Sequence, residues 1–283
     1  MKSMMITKKH IYILLGILAI LLSGVVFYQI YASGDEDSCT DSSKPFLSPE
    51  ETLDFSLVTN LQDKLDGLYH GEEKVAYLTF DDGPTKVATP KILDILKEQQ
   101  VQGSFFVIGY RVKEFPAIVK RAYEEGNFIA NHTYSHKNSK LYQSRDYFIE
   151  EILTTDESIS EAIEVPHYHS HLFRFPNGSH SKTYAIAKKN CKQYLKEIGY
   201  CYVDWNALNS DSLKKYSAAQ LLQNLKKTCE NKQSLVILMH DTSDVSKSYT
   251  ALNDSIVYLK EQGYTFKTFY DLFSMTSHTD NER

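Results

Sequence analysis

The 283-residue sequence predicts an α/β fold, a closed or nearly closed barrel of about seven β/α units. Two observations lead there. Short apolar runs of strand character alternate with helical stretches from Val75 onward, and the connections between them are short, the pattern of a parallel sheet with crossover helices. The expected strands are Val75–Phe80, Ser104–Ile108, Phe128–Asn131, Leu172–Phe175, Tyr200–Trp205, Leu235–Met239 and a short one at Tyr264–Lys267. A flat, doubly wound sheet is the alternative arrangement of the same elements.

Each strand has its punctuation. Gly83-Pro84 stops the first abruptly. Thr89-Pro90 stands in the capping position of a helix carrying Ile92, Leu93 and Leu96, and the helix from Pro116 ends at Gly126. Tyr184, Ala187, Cys191, Tyr194, Leu195 and Ile198 keep a three-to-four spacing and form one apolar face.

Upstream the chain changes character. Ile11 to Tyr28 is apolar apart from small or weakly polar residues, nearly long enough as a helix to cross a ~30 Å hydrocarbon core. Lys8 and Lys9 precede it and Asp35, Glu36 and Asp37 follow, which puts Met1 in the cytoplasm and the remainder outside. An uncleaved anchor is favoured over a signal peptide cut near Ala32-Ser33-Gly34, whose product would be secreted. The expected organisation is a tail at 1–10, an anchor at 11–31, an extracellular stalk at 32–70, one catalytic domain at 71–275 and a tail at 276–283.

A formal charge of -5, with no basic run to track phosphates, argues against nucleic acid. Four cysteines, Cys39, Cys191, Cys201 and Cys229, show no CxxC spacing; Cys191 with Cys229 is the disulfide to test first.

The chemistry gathers at strand ends, where barrels of this kind place it. Thr79-Phe80-Asp81-Asp82-Gly83-Pro84 sets two carboxylates at a strand tip, one free to bind a metal while its neighbour handles a proton. His132-Thr133-Tyr134-Ser135-His136 follows another strand, with two histidines four apart expected on one helical turn. Arg174 stands at a third tip before a Pro-bounded turn, where it can orient a carboxylate, and His240 ends a fourth as a candidate general acid. His167, His169 and His171 precede a strand rather than follow one, and read as a polar loop.

Together these motifs resemble the NodB-homology polysaccharide deacetylases, carbohydrate esterase family four, over residues 74 to about 270. The resemblance implies a distorted (β/α)7 barrel and metal-dependent removal of acetyl groups from a carbohydrate. It makes Asp82, His132 and His136 the ligands of one divalent ion, zinc first and cobalt, nickel or iron next. Asp81 becomes the base, His240 the acid and Arg174 the residue that holds Asp81. The backbone N–H of Asn177 becomes an oxyanion donor and Leu238 the wall of an acetyl slot, with Phe175 and Trp205 completing the substrate-binding set. The family's Asp-Trp pair is altered in this chain. Asp211, followed by Ser212, is preferred over Asp204 as the partner of His240, since a strand-end loop reaches it more easily. The implied partner is an N-acetylated glycan beside the membrane, peptidoglycan ahead of chitin or an exopolysaccharide, acted on by a monomer. A metal-containing carbohydrate-binding protein without catalysis is the rival of another class.

Overall fold

The computed structural model describes residues 55–213, 216–242 and 248–277. In order these form α1 (Phe55–Gly67), β1 (Val75–Asp81), α2 (Ala88–Glu98), β2 (Ser104–Val107), α3 (Gly109–Glu114), α4 (Pro116–Glu124), β3 (Phe128–Asn131), α5 (Asn138–Leu141) and α6 (Arg145–Ile163). There follow β4 (Leu172–Phe173), α7 (Ala185–Glu197), β5 (Cys201–Tyr202), β6 (Ala207–Leu208), α8 (Ala218–Cys229), β7 (Ser234–His240), α9 (Ser248–Glu261), β8 (Thr265–Phe266) and α10 (Phe269–Ser277).

The strands join one parallel sheet in the order β5-β4-β3-β2-β1-β7-β6, with β8 paired to the start of β1. β5 and β6 stand at opposite ends of that order, yet only residues 203–206 connect them. Such a link spans no more than about 18 Å, so the sheet must curl until its two ends face each other. Among the described residues no ladder joins β5 to β6, and the barrel is incomplete there. The strand expected over Tyr200–Trp205 is short for the same reason: after Val203, whose N–H still bonds the Phe173 carbonyl, the chain leaves β4 to reach β7, where the Asn206 side chain bonds Ser234 and Val236 like a strand residue.

Alternation along the strands separates two environments. Val75, Tyr77, Phe106, Phe128, Ala130, Leu172, Cys201, Val203 and Val236 face inward and share a cluster with Leu61 and Leu65 of α1 and with Phe269, Leu272 and Phe273 of α10. Phe269 is the centre of this floor, stacked on Tyr77 at 5.3 Å and meeting Phe106 and Phe128 edge-on. The intervening residues, such as Leu78, Phe80, Phe105, Ile237 and Met239, pack outward against the surrounding helices. The inward parity carries on to Asp81, His132, Arg174, Leu238 and His240 at the C-terminal ends.

Several expectations change. The stalk expected to run to residue 70 is helical from Phe55, and Leu61 and Leu65 are buried in the barrel floor, so this segment belongs to the folded domain. Thr89 lies inside the first turn of α2 rather than capping it; the Thr85 hydroxyl takes the N–H groups of Ala88 and Thr89 instead. Cys191, Cys201 and Cys229 are buried, and Cys191 and Cys229 are free thiols in separate core clusters, so the expected pair does not form. Cys39 and the apolar segment 11–31 lie outside the described residues, among which no helix is long and apolar enough to cross a membrane.

Because Phe269 fills the floor of the barrel, Phe269→Ala is expected to cost about 3–5 kcal/mol of stability, measured by urea denaturation. A loss below about 1 kcal/mol would contradict its place in the core.

Candidate active site

β1 and β7 pair over seven residues with Asp81 opposite His240, which sets a carboxylate and an imidazole side by side at the sheet's C-terminal edge. Each is held by a partner from elsewhere. Arg174, fully buried one residue past β4, donates from Nη1 to Asp81 Oδ1 at 2.9 Å and to Thr79 Oγ1 at 2.7 Å. Its Nε and Nη2 donate to the carbonyls of Val203 and Asp204, and the guanidinium lies 4.0 Å from the centre of the Phe106 ring. Asp211 accepts from His240 twice, from Nδ1 at 2.7 Å and from the backbone N–H at 2.8 Å. The imidazole therefore keeps Nε2 for the site.

Three further groups converge beside this pair. Asp82 follows β1 with φ 77°, which turns its side chain away from the direction strand alternation would give it. Its carbonyl accepts from Arg111 Nη1 at 2.7 Å. His132 continues the inward parity of β3, and its Nδ1 donates to the Arg174 carbonyl at 2.8 Å, so that when the ring is neutral its lone pair is held at Nε2. His136 returns through a loop. Asn131 Oδ1 takes the Thr133 N–H and Thr133 Oγ1 takes the His136 N–H, while both Thr133 and His136 adopt positive φ.

His132 Nε2 and His136 Nε2 stand 3.4 Å and 3.2 Å from Asp82 Oδ1. The three candidate ligand atoms lie within 4.8 Å of one another. Two imidazoles and one carboxylate, one imidazole held by a carbonyl behind it, suit zinc or another divalent transition ion, and the set leaves positions open to a substrate. Exposure of the side chains rises from 3% at His132 to 31% at His136, so the site opens on the His136 side.

Electrostatics separate the roles of these groups. Burial opposes charge on Asp82, but the hydrogen bond with His132 and the charges of His132, His136 and His240 hold its carboxyl well below the usual range. Burial, and then the charge of His132, lower His136 to about 4, which keeps it a neutral imidazole at pH 7. His240 moves the other way: burial lowers it, yet the bond and charge of Asp211, aided by Asp81 and Asp82, raise it to about 9.

Asp241 carries no mark in the sequence beyond following His240. It is completely buried and burial pushes its carboxyl up to about 7. Thr89 Oγ1 donates to its Oδ2 at 2.7 Å, and its backbone N–H bonds the Asp81 carbonyl. A side chain at Gly83 would come within 2.0 Å of that carboxylate, so only glycine lets the Asp81-Asp82 turn lie against it.

Residues 69–203 match the family Polysaccharide deacetylase. Over 225 residues the chain is 33% identical to the peptidoglycan-N-acetylmuramic acid deacetylase PdaA of Bacillus subtilis, covering 76% of this chain and 78% of the relative. The chain belongs to the polysaccharide deacetylase family. It is also 36% identical over 208 residues to a peptidoglycan-N-acetylglucosamine deacetylase of Bacillus cereus, covering 71% of each. Among solved structures, a Streptococcus mutans CE4 esterase superposes with a TM-score of 0.65 at 28% identity, covering 73% of this chain and 90% of that one.

Within this polysaccharide deacetylase domain, Asp81, Asp82, His132, His136, Arg174, Asp211, Leu238 and His240 all come to one strand-end site. The two histidines converge by a loop with positive φ rather than by the expected helical turn. Asp204 stays away from His240; its carboxylate takes the Ser179 N–H and hydroxyl instead. Asn177 is exposed at the rim and Trp205 is half-buried beneath the same loop. Phe175 does not line the site. It is 1% exposed and packs against Phe148, Phe173 and Tyr202, because the strand parity that turns Arg174 inward turns Phe175 outward. The second histidine group is structural, with His169 against Asp156, which also receives bonds from Asn131 and Tyr200, and His171 against the Gly199 carbonyl.

In the chelator-treated protein, Asp211→Asn is expected to lower the His240 pKa from about 9, followed by NMR titration, since burial is then opposed only by the charges of Asp81 and Asp82. The raised native pKa stabilises the fold fully below about pH 6.5 and the contribution fades as pH rises through about 9. In Asp211→Asn that pH-dependent contribution should shrink. An unmoved His240 titration would refute Asp211 as its cause.

Proposed function

We propose that the chain is a metal-dependent deacetylase that hydrolyses N-acetyl groups from amino sugars of cell-wall peptidoglycan. The observation that carries this reading is the register of Asp81 against His240 beside the Asp82, His132 and His136 cluster, each of the pair fixed by its own buried partner. Simple carbohydrate binding would require no such base and acid about a candidate metal site. The names of the Bacillus relatives support peptidoglycan as the polymer.

A divalent ion held by Asp82, His132 and His136 would supply Lewis acidity toward an acyl oxygen and make a water more acidic. The chain's own residues do the rest. Asp81, with Oδ1 tied to Arg174, presents its carboxylate toward His132 and takes the proton of the attacking water. Leu238, on the inner face between Val236 and His240, walls the slot for the acetyl methyl and disfavours longer acyl chains. The Asn177 N–H donates to the oxygen on which charge develops. His240 gives a proton from Nε2 to the departing sugar nitrogen, its ring held at Nδ1 by Asp211. Acetate and the free amine leave. Residues 11–31 would hold the domain outside the membrane, beside its polymer, as a single-pass anchor.

The test is acetate release from N-acetylated peptidoglycan and from chitin oligomers. With zinc the protein should release acetate, preferring peptidoglycan; with chelator release should stop, and Asp81→Ala should lose about 10²–10⁴-fold in rate. Equal release by Asp81→Ala would refute the assigned base, and equal release with chelator the metal dependence.

A further inference from the structure

We propose that Lys188 is a positioning residue of this reaction: its buried ammonium grips the turn Phe175–Gly178 from behind and aims the Asn177 N–H into the active site. The inference rests on the reading of that N–H as the oxyanion donor.

Lys188 lies on α7, outside every motif of the sequence, and is only 2% exposed. Lysine is almost never buried this deeply without partners. Nζ donates to the Gly178 carbonyl at 2.7 Å, to Ser181 Oγ at 2.8 Å and to the Pro176 carbonyl at 3.3 Å, so each ammonium proton has an acceptor. All three acceptors belong to the loop that follows Arg174. Asp204 grips the same loop, accepting the Ser179 N–H at 2.8 Å and the Ser179 hydroxyl at 2.7 Å. A cation from α7 and an anion from the β5–β6 link thus clamp residues 176–181. Trp205 closes a further side, for a Cβ at Gly178 would come within 2.9 Å of its ring.

The turn explains the direction of the donor. Gly178 N–H bonds the Phe175 carbonyl at 2.8 Å, Pro176 takes the second position, and Asn177 has φ 62° in the third. That is the pattern of a type II turn, with Asn tolerating the positive φ. In a trans peptide the C=O and N–H point in opposite directions. The Pro176 carbonyl is turned to Lys188, so the Asn177 N–H in the same peptide unit points away from α7. Among the described residues that N–H has no acceptor of its own. An ammonium on the carbonyl also polarises the peptide and strengthens its N–H as a donor.

The experiment compares the full-length, zinc-loaded protein with Lys188→Met, Lys188→Arg and Lys188→Ala. For Lys188→Met the expected result is a kcat lower by about 10–100-fold with KM within about two-fold, as for an interaction made only in the transition state. The Asn177 amide proton, followed by NMR, should move upfield, and ethylammonium should restore part of the Lys188→Ala rate. If Lys188→Met does not fold, Lys188→Arg replaces it, since a guanidinium cannot reproduce the three bonds: reduced kcat with a displaced Asn177 amide is again expected. A kcat within two-fold of wild type, or an unmoved Asn177 amide, would overturn the proposal. Should the wild-type protein release no acetate at all, the hydrolase reading fails, and the Asn177 amide alone decides the clamp: displaced supports it, unmoved overturns it.

Discussion

The buried guanidinium of Arg174 is the interaction on which the architecture turns. It lies inside a curled sheet with no exposure to solvent, and its fork reaches Thr79 and Asp81 on β1 and the carbonyls of Val203 and Asp204 on the link between the sheet's two ends. Its own carbonyl takes the Nδ1 proton of His132. A charge so placed costs several kcal/mol to desolvate and is tolerable only when its partners satisfy it, and removing one partner of such a pair typically costs about 3–5 kcal/mol. One residue therefore joins the gap in the barrel, the orientation of Asp81 and the tautomer of a candidate metal ligand.

The floor and the rim of the barrel divide the work by chemistry. At the N-terminal mouth, aromatic rings from β1, β2, β3 and α10 pack with α1 into a dry plug. At the C-terminal edge, the same inward-facing positions change from apolar to ionisable within a few residues, from Val75 to Asp81 and from Val236 to His240. Where alternation alone would misplace a group, the backbone departs from it. Positive φ at Asp82, Thr133 and His136 brings the candidate ligands together, and positive φ at Asn177 turns the peptide that would meet the oxyanion.

Most of the site was legible in the sequence because its residues sit in short contiguous runs at the ends of apolar strands. Asp81-Asp82, His132 and His136, Arg174 and His240 could be read in this way, and the choice of Asp211 over Asp204 followed from the reach of a strand-end loop. What could not be read depends on partners distant in the chain. Lys188 sits in an ordinary-looking helix, and nothing nearby in sequence tells that its ammonium is buried under the Pro176 loop. Asp241 acquires its character from Thr89 and Gly83, both far away in the chain. Phe175 shares a motif with Arg174 but faces the opposite side, and the curl of the sheet is fixed by a β6 too short to carry a periodic signal.

Replacing Arg174 with lysine tests the central claim most directly, because it keeps the charge and removes the fork. With zinc affinity measured calorimetrically beside acetate release, Arg174→Lys should still bind the ion, turn over at least about 10²-fold more slowly and unfold at a lower temperature. Wild-type turnover and melting in that variant would contradict Arg174 as the residue that orients Asp81 and ties the two ends of the sheet together.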